Sequence, residues 1–344
     1  MRSSVLFFVL AMSLSCQAHS YKSQSSTLKI VTYNTWLLDL PFNMGSRDIA
    51  ARLNIIPQEL AKLDADIIAL QEVWSPRARQ KLASEFYKKG YLYSQEESLP
   101  ANWLLRGWLG NGLLVVSKYP LAHISNQNER VLSFSTFTRP DEYFAGKGAV
   151  HMRVQIPDFG EISFYNTHLG AVSFNPKAQA FDSSHEQSRR QQSRELIEFI
   201  RKTHEERPII LAGDFNAHFK TYHQGGYTEE YGEDYKSITC TTGAADNCLN
   251  LLDSYKSLNT DAKVKATASP LTNQYIGASY FYKNPAPEQV IDYIFVSSSS
   301  AMKVQESKIV LTEKLKIPNR SGELPLSDHY GVLTELQLIL LSVD

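Results

Sequence analysis

Several short apolar runs in this chain stop at a polar residue able to do chemistry. Leu28 to Tyr33 ends at Asn34, and Ile67 to Leu70 ends at Gln71-Glu72. Glu161 to Asn166 runs into Thr167-His168, and Ile209 to Ala212 runs into Gly213-Asp214-Phe215-Asn216. An apolar run of this length between turn residues reads as a strand buried on both faces. Strand ends meet at a sheet edge, so residues distant in sequence can converge there. One such residue is an ordinary turn. Five in one chain (Asn34, Glu72, His168, Asp214 and Asn216) make a site hypothesis.

The 344 residues suffice for one large α/β domain, expected over residues 28–344 with no repeat or linker. Ile49, Leu53, Ile56, Leu60 and Leu63 recur at helical spacing behind Ser46, a candidate cap. Pro57 should interrupt and kink that helix. Leu113 to Ser117 reads as a further strand, and Gly148 to Ile156 forms a hairpin with Glu161 to Asn166 around Asp158-Phe159-Gly160. A polar helix is expected from Glu186 to Thr203, and late strands at Val290 to Val296 and Val332 to Ile339. Residues 218–248 are polar and rich in Tyr and Gly, and read as a long surface insertion.

The N-terminus has its own character. Arg2 precedes an apolar run from Val5 to Leu14, followed by Ser15, Cys16, Gln17 and Ala18. This is the pattern of a secretory signal peptide over residues 1–18, with lipidation at Cys16 as the minority route. Residues 19–27 are Ser-rich and read as a disordered lead-in. The expected destination is secreted or periplasmic. Once Cys16 has left, Cys240 and Cys248 remain, and an even count in an oxidising compartment favours a disulfide. The formal net charge of −1 shows no basic excess for general nucleic-acid binding.

Two further acids complete the candidate set. Asp292 lies inside an apolar strand, costly unless it is paired. Ser327-Asp328-His329 offers an acid beside an imidazole, and a buried Asp on a His fixes one tautomer of a general base.

The ordered set Asn34, Gln71-Glu72, Asn166-x-His168, Gly213-Asp214-x-Asn216, Asp292 and Ser327-Asp328-His329 resembles the endonuclease/exonuclease/phosphatase superfamily over roughly residues 28 to 339. That resemblance implies a four-layered α/β sandwich, two packed mixed sheets flanked by helices as in deoxyribonuclease-like folds. It implies Glu72 as the principal Mg²⁺ ligand, assisted by Asn34, with Asp214 and Asp328 near the metal and Mn²⁺ or Co²⁺ as substitutes. His329 resembles the general base and Asp292 the acid that orients it. Asp214 and Asn216 resemble groups that position nucleophile and phosphate, and His168 a donor to the phosphoryl oxygens.

Within the superfamily, Gly112 to Leu121, Gly146-Lys147-Gly148 and Asp328 to Val332 resemble neutral sphingomyelinases. This implies hydrolysis of sphingomyelin or a related choline phospholipid by a monomer at a membrane surface. Lys147 then acts on the phosphate side, with Asp141 as the acid that gates it. Trp103, Trp108 and Phe281, in apolar or aromatic segments, are the candidate membrane contacts. A secreted deoxyribonuclease, an inositol-phosphate phosphatase and a membrane-binding module with a dead site are the rivals.

Overall fold

The computed structural model describes residues 25–40, 45–95, 109–138, 142, 144–175, 177, 180–217, 220–223, 226–229, 232–240, 248–260, 265–276, 288–299 and 301–339. The apolar runs become strands of two mixed sheets. The first has the order Met302–Val310, Gly331–Ile339, Ser25–Asn34, Ile67–Gln71, Leu114–Ser117, Tyr93–Gln95. Its central strand Ser25–Asn34 is antiparallel to Gly331–Ile339 and parallel to Ile67–Gln71. The second has the order Leu251–Asp253, Asp292–Ser297, Ile209–Asp214, Gly160–His168, Gly148–Ile156, Leu121–Ala122, with Val131–Ser133 also on Gly148–Ile156. Ile209–Asp214 runs parallel to Gly160–His168 and antiparallel to Asp292–Ser297.

Side-chain alternation along the strands produces the layers. Leu28 and Ile30 enter one buried cluster with Met152, Phe164 and Ile294 of the second sheet. Val31 and Tyr33, one step along, enter another with Leu53, Ile56 and Leu60 of helix Ile49–Ala61 and Leu82 and Phe86 of helix Pro76–Tyr87. On the second sheet, His151 and Tyr165 stack and meet Phe199 of helix Ser183–Thr203 edge-on. Each such apolar side chain contributes about 1.5–3 kcal/mol by leaving water. The result is helices, sheet, sheet, helix: the four-layered sandwich implied above. Among the described residues no helix is long and apolar enough to cross a membrane.

Several expectations change. Ser25–Thr27, read as disordered, pair with Gln337–Ile339 and extend the central strand, because that neighbour offers backbone partners. Ser46 does not cap the first helix; its hydroxyl accepts from Leu38 N, and Asp48 holds the cap position. That helix continues through buried Pro57, since proline removes only one backbone bond. The later helix starts at Ser183 because the Asp182 carboxylate accepts from Ser184 N and His185 N. The stretch 218–248 is not simply a surface insertion. It holds a ribbon, Lys220–His223 with Gly226–Glu229, and helix Glu233–Thr239, whose Tyr235 and Ile238 are core residues. An ion pair between buried Arg189 and Asp234 ties that helix down. Cys240 and Cys248 form a disulfide, with Cα atoms 5.2 Å apart. The signal segment, Cys16, Trp103, Trp108, Asp141 and Phe281 lie outside the described residues.

Candidate active site

Strand register sets the site. Asp214 is opposite His168 on one neighbour and Asp292 on the other, so three strands place His168, Asp214 and Asp292 in one row. That row faces the first sheet, where Asn34 is in register with Gln71. Gly213 permits the approach: a Cβ there would sit 2.1 Å from the Thr167 carbonyl oxygen. Glu72 and Asn216, just past their strands, adopt left-handed backbone with φ of 59° and 48°. This conformation is costly for non-glycine residues and occurs where surroundings impose it.

The two sheets meet through polar side chains. Asn34 Nδ2 donates to Asp214 Oδ2 at 2.8 Å and to Glu72 Oε1 at 3.3 Å. His329, at the entry to the first sheet, bonds through Nδ1 to Asp292 Oδ2 of the second at 2.8 Å. A carboxylate only accepts, so Nδ1 carries the hydrogen and Nε2 is left for proton transfer. Nε2 lies 3.8 Å from Asp214 Oδ2. Ser327 Oγ donates to the Asn34 carbonyl at 2.7 Å and fixes the loop that carries Asp328 and His329.

Charge is concentrated here. Burial opposes ionisation of Asp214, but His168 and His329, with Lys147 behind them, hold its carboxyl well below the usual carboxylate range. Burial alone would depress the His329 imidazole; Asp292, Asp214 and Asp328 outweigh it and raise it well above its ordinary value. Asp292 is raised by burial and by Asp214, against the pull of His329. Asp328 is pushed up to about 7, first by burial, with the Glu72 charge adding to it.

Lys147 is buried, with Nζ against His168 Nε2, and His168 Nε2 is 3.3 Å from Asp214 Oδ2. The described carboxylate beside Lys147 is Glu142, at 3.9 Å. Glu142 is itself held by Thr138 N at 3.0 Å, Thr138 Oγ1 at 2.6 Å and Ala171 N at 2.9 Å. Asn216 lies at the end of the row. Its Nδ2 donates to the Leu169 carbonyl, and its own carbonyl accepts from Arg189.

The donor set fits a hard divalent cation. Three carboxylates (Glu72, Asp214 and Asp328) supply oxygen, the donor such ions prefer; Asn34, expected as a further ligand, instead turns Nδ2 toward Glu72 and Asp214 while its Oδ1 accepts from Trp36 N at 3.0 Å. Among the described residues, the group of three acids and histidines whose ligand atoms lie within 4.8 Å of one another is Asp214, Asp292 and His329. An ion held by all three would compete with the His329–Asp292 bond, which makes that group an acid–imidazole pair first.

Residues 31–329 match the family model for the endonuclease/exonuclease/phosphatase family. The chain belongs to that family. Its relatives include proteins named as sphingomyelinases. A putative neutral sphingomyelinase of Drosophila melanogaster is 27% identical over 317 residues, covering 91% of this chain and 61% of that protein. A structure of a Staphylococcus aureus beta toxin mutant with bound magnesium ions superposes with a TM-score of 0.59 at 18% identity, covering 90% of this chain and 99% of the other. D. rerio TDP2 complexed with single-strand DNA product gives a TM-score of 0.58 at 16% identity, covering 90% and 99%. These two likenesses are of fold. The chain spans about half the length of the curated relatives it matches, 61% and 41% of two of them.

Two motif residues serve the family fold rather than its chemistry. Gln71 Nε2 donates to Asn166 Oδ1 at 2.8 Å, and Asn166 Nδ2 donates to the Leu70 carbonyl at 3.0 Å, a fully buried lock between the sheets. Arg52 was not legible as a site residue: it is fully buried and donates to the carbonyls of Thr35 at 2.7 Å and Leu326 at 2.9 Å. It thereby joins the turn after Asn34 to the one before Ser327. Its spacing, three after Ile49 and four before Ile56, puts it on the apolar face of that helix, but nothing in the sequence pairs a guanidinium there with the distant carbonyls. Glu142 was missed because nothing local distinguishes it from the neighbouring Asp141.

Proposed function

We propose that this protein is a Mg²⁺-dependent phosphodiesterase that hydrolyses sphingomyelin to ceramide and phosphocholine. The 2.8 Å pairing of Asp292 with His329, facing Asp214, Asn34 and Glu72, carries the reading. His329 Nε2 accepts a proton from the attacking water, and Asp292 holds the imidazole in the tautomer that allows it. Lys147 places positive charge, and His168 a hydrogen-bond donor, where the phosphoryl oxygens gain negative charge. Glu72, Asp214 and Asp328 would hold the Mg²⁺, with the Asn34 amide orienting Glu72 and Asp214, and the ion would supply Lewis-acid polarisation of the phosphodiester. The Mg²⁺ in the beta toxin neighbour and the sphingomyelinase-named relatives support the choice of ion and lipid.

The protein is exported by its signal segment and meets its substrate at a bilayer as a monomer, through Trp103, Trp108 and Phe281. Phe137 and Phe144, 41% and 45% exposed on either side of Glu142, support an apolar approach to Lys147. A deoxyribonuclease is the second reading, favoured by the DNA-bound neighbour. Purified protein is assayed on sphingomyelin vesicles, plasmid DNA and a soluble inositol phosphate, with Mg²⁺ and with chelator. The expected outcome is Mg²⁺-dependent phosphocholine release alone. Nicking of DNA without phosphocholine release would replace the lipid assignment, and inertness on all three would leave a binding module.

A further inference from the structure

The acid and base of the site stand on different sheets. Asp292 begins a strand of the second sheet, and His329 sits two residues before Gly331, where a strand of the first begins. No ladder joins those strands, so something else must fix the spacing that their hydrogen bond needs. Residues 265–276, between the two sheets' ends, reach both sides. Thr267 N and Ala268 N donate to the Gln289 carbonyl at 2.9 and 3.0 Å, and Gln289 N returns a bond to Ala268 at 2.9 Å. This anchors the segment to the lead-in of the Asp292 strand. On the other side Asn273 Nδ2 donates to the Ser327 carbonyl at 2.8 Å, and Tyr330 Oη donates to Thr272 Oγ1 at 3.0 Å.

Thr267 touches both halves at once. Its hydroxyl oxygen accepts from Ile291 N at 3.0 Å and Asp292 N at 3.2 Å. Its carbonyl accepts from Tyr330 N, the residue after His329, at 2.8 Å. The side chain is fully buried, so two backbone N–H groups of the second sheet depend on this one oxygen. We propose that Thr267 is a positioning residue, the staple that sets the Asp292–His329 spacing across the two sheets. It does not touch the substrate; it acts through the backbone on either side of the pair and through its hydroxyl, which also bonds the Asp292 carboxylate. General-base chemistry tolerates little misplacement, since an error of about 1 Å can cost about 100-fold.

This inference rests on the assignment of Asp292 and His329 as acid and base, but not on the choice of substrate. The test is Thr267→Val, which keeps shape and carbonyl but removes the hydroxyl and every bond it makes, with Thr267→Ser as the rescue. The first readout needs no substrate: the downfield proton of a histidine Nδ1–H bonded to a carboxylate, seen by NMR on ¹⁵N-histidine-labelled protein. It is assigned to His329 by its loss in His329→Gln. The second is turnover of whichever phosphodiester the wild type hydrolyses. We expect T267V to lose or broaden that resonance and to lower kcat about 10- to 100-fold with KM within about twofold. T267S should keep the resonance and recover kcat to within about threefold. If T267V does not fold, Thr267→Ala, where water can reach the two N–H groups, should give the same pair of losses. A folded T267V or T267A with the resonance intact and kcat unchanged overturns the proposal. Failure of both to fold overturns it too, by assigning Thr267 to stability alone. A wild type inert on every phosphodiester sinks the proposed function while the resonance still tests Thr267.

Discussion

His329 stands among three carboxylates, and that field sets the pH at which it can act. Burial favours the neutral ring, yet Asp292, Asp214 and Asp328 raise the imidazole well above its ordinary value. A base must be unprotonated, so the ascending limb of the pH–rate profile should lie above the usual histidine range near about 6.5. Asp292→Asn removes the leading raising influence, so its limb should move to lower pH while kcat falls. A limb that stays put or rises would detach Asp292 from His329. The linkage to stability has the same sign. A raised folded-state value means the protonated imidazole stabilises the fold fully below its unfolded pKa and loses that contribution as pH rises through the folded value.

At the scale of elements, the strands were legible because their central members are buried on both faces and read as unbroken apolar runs. The site residues were legible for the same reason, since Asn34, Glu72, His168 and Asp214 interrupt those runs. What escaped was tertiary in origin. Helix Glu233–Thr239 lies in a polar stretch, and its place in the core comes from Tyr235 and Ile238 together with the buried pairing of Asp234 with Arg189 from a distant helix. Thr267, within a loop, has no periodicity to announce it. Arg189 also holds the Asn216 carbonyl at the site. Arg189→Met should strand a buried carboxylate and lower unfolding free energy by about 3–5 kcal/mol in urea titrations. Arg189→Met with Asp234→Leu should restore most of it. A single substitution costing less than about 1 kcal/mol would show the pair to be incidental.

At the scale of the whole molecule, the chemistry depends on two sheets held in one relative position. Asn34 meets Asp214, Gln71 meets Asn166, and Asp292 meets His329, each across the interface. The family match runs from residue 31 to 329 because the first and last of these motifs sit at the two ends of the chain. A site built this way gathers carboxylates that no single element could hold together, and a divalent cation offsets their repulsion. Calorimetric titration of Mg²⁺ into the wild type and into Glu72→Gln tests that claim most directly. The account predicts a saturable site in the wild type that is weakened at least about tenfold by the substitution, with thermal unfolding of the ion-free proteins unchanged. Equal Mg²⁺ affinity in the two proteins, or none in either, would contradict it.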